Sequence, residues 1–141
     1  MTNFEIEQTL LGKIIIEETV YDKYANLLHE DLFNIPFHKS IYLALLKQKD
    51  RGETVDILTL GKLIKGDNVV LQLSEITEEA YSFTEAKTCI AILQEEFQKR
   101  VLLGIVCNVN NQLTDREELE VIIGNIQKDI SKINMSSGEE L

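Results

Sequence analysis

The chain has 141 residues, which allows one domain or a small head with an appendage. Its net charge of −10 repels phosphate backbones, so we expect no direct contact with DNA or RNA. No segment has the apolar length of a membrane span and the N-terminus lacks a signal-peptide pattern, so we expect a cytoplasmic protein without membrane contact.

Three helices are predicted in the first 52 residues, because apolar residues recur there at three- and four-residue spacing. Asn3 can cap the first helix, and a short second helix covers about 20–28. Asn34 precedes Ile35-Pro36, which is typical of an N-cap followed by a first-turn proline. This third helix is predicted to end at Gly52.

Two further short helices are predicted before residue 80. Asp56 caps the fourth, which Gly66 ends, and the fifth covers about 68–76. Residues 77–80 are predicted to form a loop. The apolar run 55–60 also fits a strand, but polar residues interrupt it and no second strand is available to pair with it. The sequence therefore predicts an all-α fold.

The C-terminal third is predicted to form a long helix over 83–113 and a shorter one over 115–133. Ser82 with Glu85, and Thr114 with Glu117, have the spacing of capping boxes for these two helices. The first would be ~45 Å long at 1.5 Å per residue, so we expect it to project beyond so small a domain. Such a helix favours a protein that joins others over one that encloses a substrate.

The long helix carries two apolar faces rotated by roughly 130° from each other, so one packing partner cannot cover both. The first face is Ala86, Ile90, Leu93, Phe97 and Val101. We expect this first half to pack on the head and the second half to pack against the last helix. The apolar residues of that last helix are Leu119, Ile122, Ile123, Ile126, Ile130 and Ile133.

The predicted organisation is a helical head over 1–82, a helical hairpin over 83–133, and a flexible tail or linker start over 134–141. Two antiparallel helices bury little surface, so such a hairpin exposes apolar residues unless a second copy covers them. The alternative is a hairpin that folds back on the head as an ordinary bundle. The candidate oligomer interface is Leu102, Ile105, Val106, Val109, Leu113, Ile122, Ile126 and Ile130.

The sequence predicts no catalytic, cofactor-binding or metal site. The two Gly-Lys pairs, at Gly12 and Gly61, lack the preceding glycine and the following Ser or Thr of a phosphate-binding loop. Neither His29 nor His38 has a partner at metal-ligand spacing. Cys89 and Cys107 lie ~27 Å apart along one predicted helix, which is too far for an internal disulfide.

Three segments resemble the N-terminal domain of bacterial replicative DNA helicases, the DnaB-like family. E-Q-T-L-L-G at 7–12, followed by three isoleucines at 14–16, is similar to the family's opening E-Q-x-L-L-G-x-L-L. L-F-N-I-P-F-H-K-S-I-Y at 32–42 and G-E-T-V-D-I-L-T-L at 52–60 resemble two later family segments. The departures are a shortened start to the fifth helix and Ile35 where the family has an aspartate.

This resemblance implies a globular head plus an αα-hairpin that hydrolyses nothing. In the family the hairpins pair into dimers, and three dimers form a collar that docks the C-terminal, helicase-binding domain of primase. Helicase loaders are further possible partners. The RecA-like motor of a full-length, ATP-dependent helicase is not in the sequence. The chemistry of three motif residues is structural. We expect Gly12 to let another helix approach closely, Asp56 to satisfy free helix amides, and one ring nitrogen of His38 to bond to backbone rather than to lie exposed. It also leaves open a free-standing adaptor or regulator that binds or inhibits a host helicase.

Overall fold

The computed structural model describes residues 1–136, with side chains through residue 133, and within them it contains helices and no strands. The all-α prediction is therefore confirmed. The seven α-helices are α1 (Asn3–Ile16), α2 (Glu18–Tyr24), α3 (Pro36–Asp50), α4 (Ile57–Leu63), α5 (Val69–Glu78), α6 (Ala86–Thr114) and α7 (Leu119–Ser136). Two 3₁₀ turns cover Glu30–Leu32 and Glu79–Tyr81. Helix α7 extends to Ser136, three residues into the predicted tail 134–141, and the rest of that tail lies outside the described residues.

The caps of the first helices differ from two predictions. Thr2, not Asn3, caps α1, and it forms a capping box with Glu5. The N-cap residue of α3 is Ile35, not the predicted Asn34, and its side chain has no hydrogen-bond acceptor. Asp56 caps α4 as predicted, since its carboxylate accepts a hydrogen bond of 2.8 Å from the Thr59 N–H.

The end of α3 at Gly52 is as predicted, but the chain between α5 and α6 is not the simple loop expected over 77–80. Gly52 has φ +69°, and the Glu53 N–H donates back to the Gln48 carbonyl, as in a Schellman motif. After α5 the chain continues directly into the 3₁₀ turn Glu79–Tyr81. Helix α2 also ends earlier than predicted, at Tyr24.

The two predicted capping boxes of the C-terminal helices do not start those helices. The Ser82 hydroxyl accepts from the Thr84 N–H, and α6 begins only at Ala86. Thr114 is the last residue of α6, and its hydroxyl donates to the Asn110 carbonyl. Arg116 then adopts a left-handed φ of 59° and closes a second Schellman motif, which uses the residues that the prediction assigned to the start of α7.

The chain divides into two compact units, Met1–Leu93 and Gln94–Leu141, and α6 begins in the first and continues in the second. The first unit has a continuous apolar core to which α1 to α5 and the start of α6 all contribute. The start of α6 belongs to this core, because Ala86, Ile90 and Leu93 are buried in it. The most deeply buried side chains of the unit include Leu10, Leu11, Leu32, Phe33, Ile41, Leu45, Leu60 and Leu73.

Helix α1 makes a backbone-to-backbone contact with α5 and the turn that follows it. A Cβ added to Gly12 would overlap the carbonyl oxygen of Ile76 and lie 3.1 Å from the amide nitrogen of Ala80. The adjacent Lys13 ammonium donates to the carbonyls of Ala80 at 2.9 Å and Ser82 at 3.1 Å. The sequence-based expectation that Gly12 permits a close helix approach therefore holds, with α5 as the neighbour.

A buried carboxylate joins α1 to the start of α3. Glu7 and His38 are each 1% exposed, and Glu7 Oε1 lies 3.1 Å from His38 Nδ1 and 3.2 Å from the Ile35 backbone nitrogen. A carboxylate only accepts hydrogen bonds, so both nitrogens donate here. The predicted partner of the His38 ring was backbone. Its partner is instead this carboxylate, 31 residues earlier in the chain.

We expect Gly12→Ala to destabilise the chain by about 2–3 kcal/mol. The added methyl group would overlap backbone atoms, which can move only together with the segment to which they belong. Gly104→Ala is the matched control: it also lies inside a helix, but an added Cβ would meet nothing within 4 Å. The control should stabilise by about 0.5–1 kcal/mol. Urea unfolding followed by circular dichroism measures both, and equal effects would contradict the close-contact argument.

The Glu7–His38 pair should show strong coupling in a double-mutant cycle. Glu7→Met leaves the buried His38 donor and the part-buried Ile35 N–H unpaired and should cost about 3 kcal/mol. Glu7→Met combined with His38→Leu should cost clearly less than the sum of the two single changes. The exposed pair Lys39–Asp31, 3.4 Å apart, is the control, with expected coupling below about 0.5 kcal/mol. Additive losses at Glu7 and His38 would show that their hydrogen bond contributes little.

Candidate interaction surface

The second unit is an αα-hairpin formed by the C-terminal part of α6 and by α7. Its own core is small: Ile105, Ile122 and Ile133 are buried, and Val109 and Ile126 are half-buried. Ile105, Val109 and Ile126 line a common cleft, which places the two helices side by side. These residues form the seam of the hairpin.

Beside this seam each helix carries a stripe of exposed aliphatic side chains. In α6 and α7 alike, exposed and half-buried residues follow one another at intervals of four, three and four. These are the intervals of a heptad repeat, which is typical of a helix surface that packs along another helix. The exposed members are Leu102, Val106 and Leu113 in α6, and Leu119, Ile123 and Ile130 in α7, each between 43% and 64% exposed.

The two stripes lie on the same side of the hairpin. At 100° per residue, the α6 stripe is rotated by about 60–100° from Ile105, and the α7 stripe is rotated by about the same angle from Ile122. Both rotations have the same sense along their own helix, and the helices run antiparallel, so the stripes face one direction. We call the six exposed residues Leu102, Val106, Leu113, Leu119, Ile123 and Ile130 the apolar face.

The other side of the seam is mostly polar, and Val121 of α7 is the exposed apolar residue there. A groove of about 180 Å³ there contains the side chains of Asn108, Gln112 and Asn125, with Lys128 and Asp129. The hairpin therefore has one face suited to water and one that exposes a continuous apolar strip.

The predicted interface residues separate into two groups in the structure. Leu102, Val106, Leu113 and Ile130 are exposed on the apolar face. Ile105 and Ile122 are the buried residues of the seam, and Val109 and Ile126 are its half-buried residues. The apolar face also contains Leu119 and Ile123, which were not among the predicted residues. The sequence did contain a signal for them, because they precede Ile126 and Ile130 at the four- and three-residue intervals of a heptad repeat.

The titratable groups with shifted pKa values have structural explanations. Hydrogen bonds from Thr59 lower the pKa of the Asp56 carboxyl, as expected for an N-cap. Burial raises the pKa of the Cys89 thiol, and it raises that of Tyr42 to about 12. Cys107 is exposed. These shifts accompany capping and core packing, and none of these groups lies in a catalytic cluster.

In the part of the chain that the structure describes, no three His, Cys, Asp or Glu side chains come together as metal ligands. Gly12 and Gly61 both lie inside helices, where each approaches a neighbouring segment. Across residues 1–136, none of the helices combines the length and the apolar character needed to cross a membrane.

Comparisons with known proteins agree with one another. The family model of the DnaB-like helicase N terminal domain matches residues 1–95. The chain is 26% identical over 138 residues to the replicative DNA helicase DnaC of Bacillus subtilis, covering 93% of this chain and 30% of that protein. It is 22% identical over 139 residues to the replicative DNA helicase DnaB of Geobacillus stearothermophilus, covering 94% and 31%.

The fold is also similar to a solved structure. The N-terminal domain of DnaB helicase from Mycobacterium tuberculosis superposes with a TM-score of 0.78 at 19% identity, covering 92% of this chain and 96% of that one. The chain spans only about 30% of the length of the two helicases to which it is similar. The family match over two thirds of the residues, together with this shared fold, shows that the chain belongs to the DnaB-like helicase N-terminal domain family.

Proposed function

We propose that this chain is a non-catalytic assembly and docking domain of a replicative DNA helicase, which oligomerises through its hairpin and binds primase. The observation that carries the proposal is the apolar face of the hairpin, where six aliphatic side chains stand on one side of two helices. Membership of the family supports the helicase context. The ATP-dependent motor of such a helicase would lie in another part of the protein.

The apolar face suits a second copy of the same face. A two-fold axis places the same patch on both copies, so the two hairpins pack as a four-helix bundle with heptad spacing on every helix. Removing the exposed half of a leucine or isoleucine side chain from water gains about 1 kcal/mol. Six residues from each copy therefore contribute on the order of 10 kcal/mol, which is comparable with the about 4–15 kcal/mol that association costs.

Higher assembly and partner binding extend the same proposal. In a full-length helicase, three such dimers would form a collar, and the hairpin with the adjoining head would receive the C-terminal domain of primase and possible loaders. The charge of the chain supports a protein partner rather than DNA, because its net −10 opposes a phosphate backbone. A cytoplasmic location follows from this role in replication.

Aspartate placed on the apolar face should dissociate the proposed dimer. Val106→Asp and Ile123→Asp each bury two charges at a two-fold interface, so we expect dimer dissociation constants at least about 100-fold weaker. Size-exclusion chromatography with light scattering should give a dimer or larger for the unchanged chain at micromolar concentration and a monomer for either variant.

The control for these variants is Leu103→Asp, since Leu103 is 65% exposed but lies on a different side of α6. Its molar mass should match that of the unchanged chain. A strictly monomeric wild-type chain with a folded helical spectrum would refute self-association. Loss of all helicity in Val106→Asp would show that the position is core.

Primase binding is tested with the isolated C-terminal domain of primase from the same organism. We expect the two proteins to co-elute as a complex whose mass equals a simple ratio of the components. The Leu103→Asp variant should bind the primase domain as well as the unchanged chain does. Binding by Val106→Asp should show whether primase binding requires the dimer. No complex at a concentration of about 50 μM, equivalent to binding weaker than about −6 kcal/mol, would reject the docking role.

A further inference from the structure

A cleft of about 350 Å³ lies on the first unit, where α1, the start of α3 and α5 meet. This volume is within the range of binding pockets in proteins. Phe4 contributes from α1, Phe37 and His38 from α3, and Gln72 and Glu75 from α5. None of these residues belongs to the hairpin, so binding at this cleft is independent of the self-association proposed above.

The wall of the cleft at α3 is held rigidly from behind. His38 lines the cleft, yet it is 1% exposed and its Nδ1 is bonded to the buried Glu7 carboxylate, which also accepts the Ile35 N–H. The Phe4 ring packs on the His38 ring with centroids 4.9 Å apart. A surface whose side chains are already ordered loses little conformational entropy when a partner binds.

Apolar side chains continue from the cleft onto the outer surface. Phe4 is 47% exposed at its edge, and Leu71 of α5 is 60% exposed. Leu71 and Glu75 are four residues apart, so they are neighbours on the same face of α5. Exposed aromatic and aliphatic groups around a concave site are typical of surfaces that bind another protein.

The charge around the cleft favours a cationic partner. Glu75 lies in the cleft lining, which contains no lysine or arginine, and it has no ion-pair partner among the described residues. The first unit as a whole contains fifteen acidic and nine basic side chains, a net charge of −6. Nucleic acids and anionic small molecules would therefore be repelled.

We propose that this cleft docks an amphipathic helix of another protein, one that places a bulky apolar residue beside Phe4 and a lysine or arginine against Glu75. A helix bound in an apolar groove presents side chains to it at three- and four-residue intervals. The partner's apolar residue beside Phe4 and its lysine or arginine against Glu75 would therefore lie one helical turn apart. A helical protein segment suits the site better than a small molecule, because His38 is occupied by Glu7 and the apolar surface extends beyond the cleft.

The test uses the full chain and two designed helical peptides of roughly 16 residues, a length at which isolated helices become stable. Both carry leucines at three- and four-residue spacing, and one has lysines where the other has glutamates. We expect the lysine peptide to shift the amide resonances of His38 and Gln72 in ¹⁵N spectra, with a dissociation constant in the tens of micromolar. The glutamate peptide should bind at least tenfold more weakly.

Charge exchange at Glu75 gives the sharper result. Glu75→Lys should raise the dissociation constant of the lysine peptide at least tenfold and lower that of the glutamate peptide. Glu78→Lys makes the same change on α5 outside the cleft lining, and it should change both dissociation constants less than twofold. Equal binding of the two peptides, shifts confined to other residues, equal effects of the two substitutions, or no binding at millimolar peptide would each overturn the proposal. The mass measurements on the hairpin variants are unaffected by any of these outcomes.

Discussion

The first unit depends on the buried carboxylate of Glu7. Helix α3 begins without a side-chain cap, because Ile35 stands at the cap position, and its first residue is a proline that has no N–H. Glu7 accepts hydrogen bonds from the Ile35 N–H and from the His38 ring nitrogen. A residue of α1 thus satisfies the N–H of the cap residue, as a glutamate at N3 does in a capping box. A buried carboxylate is tolerated only when its hydrogen bonds are made, and here both donors come from one turn of α3.

The same helix fixes the segment that leads into the second unit. Five residues after Glu7, Gly12 brings the α1 backbone against the end of α5, and Lys13 binds the carbonyls of Ala80 and Ser82. Helix α1 thus positions α3, α5 and the approach to α6 through three different kinds of contact. The family motif that runs from Glu7 to Gly12 is explained physically by two of them, a buried acceptor and a missing Cβ.

The sequence was sufficient to predict the helices and those helix caps that depend only on neighbouring residues. Asp56 and Gly52 were predicted correctly, because a carboxylate three residues before a free N–H, or a glycine after a basic last turn, acts on its own segment. Thr2 was missed in favour of Asn3, and Ser82 and Thr114 were assigned to caps they do not form. Each of these segments contains competing polar residues, so local spacing did not decide among them.

What the sequence did not predict depends on residues far apart in the chain. The partner of His38 is 31 residues away, and no pattern within one helix indicates it. In the hairpin the isoleucines of α7 look equivalent in the sequence, but Ile122 is 2% exposed and Ile123 is 53% exposed. Only the position of the neighbouring helix separates them, and it also identifies which aliphatic residues stand on the apolar face.

The division of the hairpin's aliphatic residues into a buried seam and an exposed apolar face links its stability to the proposed assembly. The seam of the hairpin has three buried isoleucines, whereas the first unit has a continuous core to which six α-helices contribute. A pair of helices with so few buried residues gains little from its own packing, since most helix stability in proteins comes from tertiary contacts. A second hairpin on the apolar face would supply those contacts. Hairpin stability and self-association would then be linked, and the stability of the second unit would rise with protein concentration.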